Sequence, residues 1–382
     1  MGKYKFIDLF AGCGGLEDGF LQTGDYECIS SVEWLKPQVD TLRERLKSKY
    51  NIKHANESVL HFDIQREEEL FNGWREDKKF GTSLGLDYYV RQAKGIDLII
   101  GGPPCQAYSI AGRVRDENGM RNDYRNYLFE HYLSVVKRYS PKVFIFENVP
   151  GILSAMPGDK KIIELIEGEF KKQGYIISDK INKYGIIDAS KYGVPQRRKR
   201  VILLGVRNDL DNLDSIYSKI DEFYNRILPK YQSSEMSVFQ AIGDLPKIIP
   251  IWDEKKRANK KAYSYRNDIN WHVPRYHNLR DMDIYRMLAK DIESGENKYT
   301  SAHAITQIYE QKVGSKSPIH RYHVLRKNEP STTIIAHLYK DGNRFIHYDS
   351  SQARSITPRE AARLQGFPEN YIIPVSDTQS YK

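Results

Sequence analysis

Through about residue 206, short runs of β-branched and aromatic residues alternate with longer helical segments. This alternation predicts a parallel sheet that is covered by helices on both faces. After residue 207 the rhythm gives way to polar, basic and aromatic sequence, which predicts a second domain of a different kind. The expected fold is therefore α/β, with a doubly wound, mostly parallel sheet and a smaller irregular domain. Strands are predicted at 4–10, 26–33, 97–100, 142–147 and 201–206, and helices at 15–23, 37–49, 127–139 and 159–173.

The composition is that of a globular protein with a basic surface. The 382 residues are 40% hydrophobic, which is enough for two cores, and the net charge is +9 with 27 tyrosines. That balance favours a polyanionic partner such as nucleic acid. Three widely spaced cysteines encode neither a disulfide framework nor a zinc site. With no signal peptide and no long apolar segment, we expect a cytoplasmic protein that has no membrane partner.

One cysteine follows a rigid turn at the end of a predicted strand. Residues 97–109 read Asp-Leu-Ile-Ile-Gly-Gly-Pro-Pro-Cys-Gln-Ala-Tyr-Ser. The glycines allow the backbone to turn, and the prolines fix φ just before Cys105. The pattern indicates a nucleophilic thiol held at the carboxyl edge of the sheet. A buried structural cysteine after a Gly-Pro turn is the alternative interpretation.

A glycine-rich loop at 8–16 connects the first strand to the first helix. Glu17 fills the place of the third glycine of the dinucleotide fingerprint, which makes NAD the weaker choice. Glu33 ends the next strand and can bind ribose hydroxyls, while Trp34 offers a flat face for adenine. Asp63, after a third strand, suits the adenine amino group. Together these features predict an adenosyl pocket that S-adenosylmethionine fits, although each could alone be an ordinary βα turn.

Two further groups of polar residues lie next to the later strands, one after the strand at 142–147 and one before the strand at 201–206. Glu147 comes after Phe144-Ile145-Phe146, so we expect it on the same sheet edge as Cys105, with burial favouring its protonated form. A polar and cationic segment at 192–200 precedes the last strand, and a solvated surface is its simplest interpretation. Alternation predicts that three of its side chains point one way, as a clamp for a base and its phosphates. These are Gln196, Arg198 and Arg200.

Five histidines in the second half of the sequence raise the question of a metal site. Loop histidines among arginines and tyrosines more often face phosphate or solvent, and no metal site is predicted. The five are His272, His277, His303, His320 and His323.

Taken in order, these motifs resemble those of the C5-cytosine DNA methyltransferases. Phe-Ala-Gly-Cys-Gly-Gly at 10–15 is similar to the cofactor loop of that family, and Pro-Pro-Cys-Gln at 103–106 to its nucleophile motif. Glu-Asn-Val at 147–149 and Gln-x-Arg-x-Arg at 196–200 resemble two catalytic motifs. The segment 354–368 resembles the motif that packs beneath the DNA-recognition domain.

The resemblance implies a fold of the S-adenosylmethionine-dependent methyltransferase type, with that molecule as cofactor and no metal. It assigns the cofactor contacts to Phe10, Cys13, Gly15, Glu33, Trp34, Asp63, Ile64, Gly102, Pro104 and Leu128. It assigns catalysis to Cys105, Glu147, Arg198 and Arg200, and substrate binding to Gln106, Ser109, Asn148 and Gln196.

The implied chemistry explains these residue types. The Cys105 thiolate adds to C6 of cytosine and makes C5 electron-rich, while Glu147 holds or protonates N3 and Arg200 contacts the base carbonyl oxygen. After methyl transfer, loss of the C5 proton and elimination of the thiolate restore the ring. A stacked base is out of reach, so the cytosine must flip out, and the segment 107–126 resembles the loop that closes over it.

The resemblance also predicts the domain organisation and partners. Residues 1–206 are expected to form the catalytic and cofactor-binding domain. Residues 207–375 are expected to form the target-recognition domain, which binds a specific sequence of double-stranded DNA. Methylation of that sequence would protect the DNA in a restriction-modification system. A cognate restriction endonuclease is then a functional partner. Two alternatives stay open: a transfer-RNA cytosine methyltransferase, whose Cys-Phe-Thr tripeptide is missing here, and a catalytically silent DNA-binding relative, which would be expected to have lost Cys105 or Glu147.

The last motif of the family is expected to be missing. Residues 376–382 are similar to the stretch that leads into that motif and the final helix. A truncated chain and a split enzyme completed by a second polypeptide both fit. Either predicts weak cofactor binding and low activity for this chain alone.

Overall fold

The computed structural model describes residues 2–104, 128–156, 161–257, 261–266, 268–314, 322–335, 338–372, 374 and 381. The chain divides into two compact units. The first comprises Met1–Asp188, Lys199–Gln232 and Ile372–Pro374, and the second comprises Ala189–Arg198, Ser233–Tyr371 and Val375–Lys382.

The first unit is built on a sheet in which the strand order is β3-β2-β1-β6-β7-β10-β8, with β9 also paired to β10. A separate hairpin joins β4 to β5. Five neighbouring strands of the sheet pair in parallel, in the order β3, β2, β1, β6 and β7, which confirms the predicted fold class. The strands are β1 Tyr4–Leu9, β2 Tyr26–Glu33, β3 Val59–His61, β4 Trp74–Asp77, β5 Gly81–Ser83, β6 Leu98–Gly101, β7 Val143–Asn148, β8 Tyr175–Ile177, β9 Ile186–Asp188 and β10 Lys199–Arg207.

Helices cover both faces of this sheet, because neighbouring residues of each central strand pack to opposite sides. In β1, Phe6 packs into one apolar cluster with Leu98, while Ile7 packs into the other with Ile99. The helices are α1 Gly15–Gln22, α2 Lys36–Tyr50, α3 Ala55–Ser58, α4 Glu67–Asn72, α5 Gly85–Gln92, α6 Leu128–Tyr139, α7 Ile162–Lys172, α8 Ile181–Tyr184 and α9 Leu213–Glu222.

The sheet has one antiparallel strand near one end and a reversal of strand order in its middle. β10 runs antiparallel to β7, β8 and β9, so the last predicted strand is present but reversed. In the middle, β1 pairs with β2 on one side and with β6 on the other. That reversal of strand order opens a crevice at the carboxyl ends of β1, β2 and β6, where α/β sheets bind ligands.

The first unit continues past the expected boundary at residue 206. Ile216 and Ile220 of α9 are buried in its core. The Tyr224 hydroxyl donates to the Ile202 carbonyl oxygen at 2.8 Å and accepts from the Leu204 N–H at 3.0 Å, which ties this segment to β10. The division into catalytic and recognition domains remains a prediction about function.

In the second unit, helix α14 (Pro358–Leu364) buries five of its seven residues. A bidentate ion pair joins the fully buried Arg354 and Glu360, with Nη1–Oε2 and Nη2–Oε1 distances of 2.7 and 2.6 Å. Thr357 caps the same helix in a capping box with Glu360. The elements are α10 Val238–Ile242, β11 Ile249–Pro250, β12 Tyr263–Ser264, α11 Leu279–Ser294, α12 Ala302–Val313, α13 Leu338–Asp341 and α14 Pro358–Leu364.

The expectation that the histidines face phosphate or solvent is wrong for two of them. His272 is buried with Nε2 at 2.9 Å from the Pro246 carbonyl oxygen, and His277 is buried with Nε2 at 3.0 Å from Ser355 Oγ. Both satisfy backbone or hydroxyl groups inside the unit. His303 and His323 are exposed, and His320 lies outside the described residues. Within the described ranges, no three His, Cys, Asp or Glu side chains cluster as metal ligands do, and no helix is long and apolar enough to cross a membrane.

Candidate active site

The loop after β1 is a tight turn that uses left-handed backbone. Phe10 has φ 59°, an uncommon value for an aromatic residue, and Gly14 has φ 81°. A Cβ at Gly14 would lie 2.4 Å from Leu42 Cδ1, so glycine is also required there for close packing against α2. The loop is therefore held compactly over the carboxyl end of β1.

Glu33 fixes this loop to the end of β2. Its Oε2 accepts a hydrogen bond from the Gly12 N–H at 2.9 Å, and its Oε1 accepts one from the Leu35 N–H at 2.8 Å. Burial raises the pKa of Glu33. Each carboxylate oxygen keeps a further lone pair, so the side chain can still accept hydrogen bonds from hydroxyl groups of a ligand.

A cavity of about 360 Å³ opens beside Glu33 at the crevice between β1, β2 and β6. Trp34 on its rim is 42% exposed, and Asp63 follows the end of β3 by two residues. Of the ten predicted cofactor residues, only Cys13 and Gly15 are not among the described residues that line it. Sequence reasoning missed four other lining residues, which are Val32, Leu35, Phe62 and Gln65. Three of these are apolar, and an apolar side chain near a strand end or in the connection after it carries no distinctive signal.

The two predicted residues outside the lining have structural positions in the glycine loop. Gly15 is the first residue of α1. Burial and the nearby charge of Glu33 raise the pKa of the Cys13 thiol to about 12. Cys13 therefore stays protonated near neutral pH and is not a nucleophile.

The turn after β6 is held by close contacts on both sides. A Cβ at Gly101 would lie 2.4 Å from the Leu9 carbonyl oxygen, and a Cβ at Gly102 would lie 2.8 Å from Glu147 Oε2. The buried Asn148 donates from Nδ2 to the Pro103 carbonyl oxygen at 3.2 Å. These contacts fix the backbone that leads to position 105. The predicted site residues Cys105, Gln106 and Ser109 themselves lie outside the described residues.

Glu147 at the end of β7 forms an ion pair with Arg200 of β10. The distance from Arg200 Nε to Glu147 Oε1 is 2.7 Å, and the two side chains are 19% and 28% exposed. Glu147 is therefore only partly buried, which is less than expected, whereas the next residue, Asn148, is buried. The guanidinium instead orients the carboxylate toward the Gly102 backbone.

The segment before β10 does not continue that strand. Gln196 forms an isolated bridge with Ser331, and β10 begins only at Lys199, so the predicted alternation over 196–200 is wrong. Gln196 is fully buried within the second unit, where Nε2 donates to the Leu364 carbonyl oxygen at 3.3 Å. Its Oε1 accepts from the Ile334 N–H at 3.2 Å. Arg198 is half-buried in the same unit.

Two buried acids next to the glycine loop were not identified from the sequence. Ser31 Oγ donates to Glu17 Oε2 at 2.7 Å, whereas Glu17 Oε1 and Asp8 Oδ2 have no hydrogen-bond partner among the described residues. Burial raises the pKa of Asp8, and it raises that of Glu17 to about 7. The sequence contained one signal, since Asp8 is a single acid among the apolar residues Phe6, Ile7 and Leu9.

Solved methyltransferase structures share this open, largely parallel sheet. A prophage-encoded protein of E. coli, assigned as a DNA modification methyltransferase, aligns with a TM-score of 0.57 and 23% identity over 99% of this chain and 93% of its own. A DNMT2 variant from Spodoptera frugiperda aligns with a TM-score of 0.56 and 16% identity, covering 99% and 94%.

The sequence comparisons agree with this fold. The profile of the C-5 cytosine-specific DNA methylases matches residues 4–382. The chain is 31% identical to type II methyltransferase M.Bpa9945I of Bacillus paralicheniformis, over 98% of this chain and 93% of the relative. It is 30% identical to type II methyltransferase M.DdeI of Desulfomicrobium norvegicum, over 96% and 79%. The chain belongs to the C-5 cytosine-specific DNA methylase family and is a DNA (cytosine-5-)-methyltransferase.

Proposed function

We propose that this enzyme transfers the methyl group of S-adenosylmethionine to C5 of a flipped cytosine in a specific duplex DNA sequence. One observation carries the proposal. Gly102 and Pro104, from the turn that leads to Cys105, line the same cavity as Glu33 and Trp34. A cofactor in this cavity would thus share a wall with the backbone that carries the nucleophile.

The residues around the cavity fit an adenosyl group. Glu33 has lone pairs for two ribose hydroxyls, Trp34 presents a ring for stacking, and Asp63 can accept from the adenine amino group. The volume of about 360 Å³ lies in the range of small-molecule sites. S-adenosylmethionine supplies an electrophilic methyl group when bound.

Cytosine C5 is a weak nucleophile, and the proposed roles of the protein residues address this. The Cys105 thiolate forms a bond to C6, and the electron pair of the C5–C6 double bond then becomes available at C5. Glu147 and Arg200 contact N3 and the carbonyl oxygen and stabilise the negative charge that builds on the ring. After C5 has gained the methyl group, a base removes the C5 proton and the thiolate leaves, which restores the aromatic ring.

We assign DNA recognition to the second unit, with the segment 354–368 supporting it from inside. A net charge of +9 favours a polyanion, and exposed Lys, Arg and Tyr side chains of this region can contact phosphates and base edges. The cytosine must leave the stack to meet Cys105, so base flipping is part of the proposal.

The biological role that we propose is protection of DNA in a restriction-modification system. It is supported by the relatives named type II methyltransferases. A cognate endonuclease would be a functional partner, and activity on cellular DNA would take place in the cytoplasm.

Two assays test the proposal directly. We expect tritiated methyl transfer from S-adenosylmethionine to duplex DNA but not to transfer RNA. Cys105→Ala should abolish transfer while cofactor and DNA still bind, whereas Cys28→Ala, which removes another thiol, should retain it. The wild type should also become covalently trapped on DNA containing 5-fluorocytosine, since fluorine at C5 cannot leave as a proton. Turnover by Cys105→Ala, or transfer to RNA alone, would overturn the proposal.

A further inference from the structure

The β4–β5 hairpin presents a lysine to the proposed adenine platform. Lys79, in the turn of the hairpin, has its Nζ 4.8 Å from the centre of the Trp34 ring and 4.7 Å from that of Phe80. Among the described residues, those lining the cavity include Trp34 but not Lys79. The ammonium group therefore contacts a ring that borders the cavity, although Lys79 itself does not line it.

The position of Lys79 is fixed by its own turn. Asp77 Oδ1 accepts from the N–H groups of Lys79 and Phe80 at 2.8 and 2.9 Å. Asp77 Oδ2 accepts from Arg66 Nη1 at 2.7 Å, which links the turn to the start of α4. Because both carboxylate oxygens of Asp77 are used in this way, the lysine backbone is anchored and only its side chain is free to rotate.

The hairpin also packs against the inner wall of the cavity. Trp74 stacks on Phe62, a lining residue, with ring centres 3.7 Å apart and an interplanar angle of 18°. Phe80 contacts Phe62 edge-on at 5.1 Å. On the far side, His61 Nε2 lies 3.0 Å from the Trp34 carbonyl oxygen. The Trp34 backbone thus contacts His61, and the Trp34 ring contacts Lys79 of the hairpin.

We propose that Lys79 is a positioning residue for the cofactor, acting through Trp34. A tryptophan that is 42% exposed can adopt several rotamers, and ordering it on binding costs conformational entropy. An ammonium over one ring face favours a single orientation and leaves the other face for adenine. This inference rests on the proposed assignment of the cavity to S-adenosylmethionine.

The test compares three variants of the full chain. Lys79→Met keeps the aliphatic stem and removes the charge, and we expect S-adenosylmethionine to bind about 2- to 5-fold more weakly by calorimetry. The KM for the cofactor should rise by the same factor while kcat stays unchanged. Lys79→Arg keeps the positive charge and should bind S-adenosylmethionine as tightly as the wild type. Lys78→Met, which alters the neighbouring exposed lysine, should have no effect.

A Trp34→Leu background separates action through the ring from other effects. In that background, Lys79→Met should cause no further loss of affinity for S-adenosylmethionine. In the wild-type background, Lys79→Met should change the fluorescence that Trp34 contributes. Unchanged affinity in Lys79→Met, or an equal loss in both backgrounds, would overturn the inference. Failure of the wild type to bind S-adenosylmethionine would instead contradict the proposed function.

Discussion

Glu33 and Trp34 stand side by side in the chain but differ in what they support. Glu33 accepts hydrogen bonds from the Gly12 and Leu35 N–H groups, whereas the exposed Trp34 ring has no such structural role. Both side chains are proposed to contact the cofactor. The two functions of Glu33, in the fold and in binding, can therefore be separated by comparison with Trp34.

We predict that Glu33→Ala and Trp34→Ala each weaken S-adenosylmethionine binding by about 1 to 3 kcal/mol, measured by calorimetry. Only Glu33→Ala should also lower the melting temperature, because it leaves two backbone donors without their acceptor. DNA affinity should be unchanged in both variants. Unaltered cofactor binding in both would mean that the cofactor lies elsewhere.

The buried acid Glu17 makes stability depend on pH. Burial raises its pKa to about 7 in the native state from an ordinary value of 4.5. Between these values the unfolded chain loses the proton while the native state keeps it. The contribution of Glu17 to stability is therefore fully present below about pH 4.5 and is lost as pH rises through about 7.

Glu17→Gln removes this dependence and can still accept from Ser31. We compare the free energy of unfolding of Glu17→Gln with that of the wild type. As pH rises from 5 to 8, we predict that this difference increases by up to about 3 kcal/mol, because only the wild type loses the contribution of Glu17. Urea denaturation at several pH values measures the shift. Glu27→Gln, at an exposed position, serves as the control and should show none; an equal shift in both variants would contradict the role of burial.

At the scale of elements, the ends of β6 and β7 are arranged around one glycine. A Cβ added at Gly102 would lie 2.8 Å from Glu147 Oε2, which is too close unless the carboxylate moves. Arg200 holds this carboxylate in place by an ion pair. A carboxylate at the end of a flexible side chain can move at little cost in folding energy. The displacement would nevertheless remove Glu147 from its proposed place against the base.

Gly102→Ala should therefore lower kcat by about 10- to 100-fold while the melting temperature changes little. Gly168→Ala, at an open position inside α7, should leave kcat unchanged and raise the melting temperature slightly. Wild-type turnover by Gly102→Ala would show that the position of Glu147 does not limit the reaction.

The sequence predicts the elements that are buried on both faces better than those at the edges. Apolar residues of β1, β2, β6 and β7 pack into clusters on both faces of the sheet, and the observed bounds of these strands differ from the predicted ones by at most one residue. β8 and β9 have three residues each, and the β4–β5 hairpin is polar, so none of them has a local pattern. The burial of Glu17 and Gln196 could not be predicted either, because it depends on residues distant in sequence, such as Ser31 and Leu364.

At the scale of the whole molecule, the second unit depends on a charged pair inside it. Burial alone would raise the pKa of Glu360, yet the guanidinium of Arg354 lowers it to about 2. Removing the arginine leaves a buried carboxylate without compensation, which is far more costly than losing both charges together.

We predict that Arg354→Met destabilises the protein by about 3 to 5 kcal/mol, and that the double variant Arg354→Met, Glu360→Leu recovers much of this loss. Chemical denaturation measures both values. Lys327→Met, a change at an exposed cation of the same unit, should cost less than about 1 kcal/mol. Equal destabilisation by the single and double variants would show that packing rather than charge dominates.

The chain passes from the first unit to the second and back again between residues 188 and 199. Within the second unit, the Arg197 N–H donates to the Ser331 carbonyl oxygen at 2.8 Å, and the Ser331 N–H donates to the Pro195 carbonyl oxygen at 2.9 Å. A gene chimaera that exchanges 233–371 as one block would therefore separate partners that are distant in sequence. Exchange of the second unit between relatives should therefore yield a folded protein only when the ten-residue segment 189–198 is inherited together with the block, so the exchange requires two linked changes in the gene.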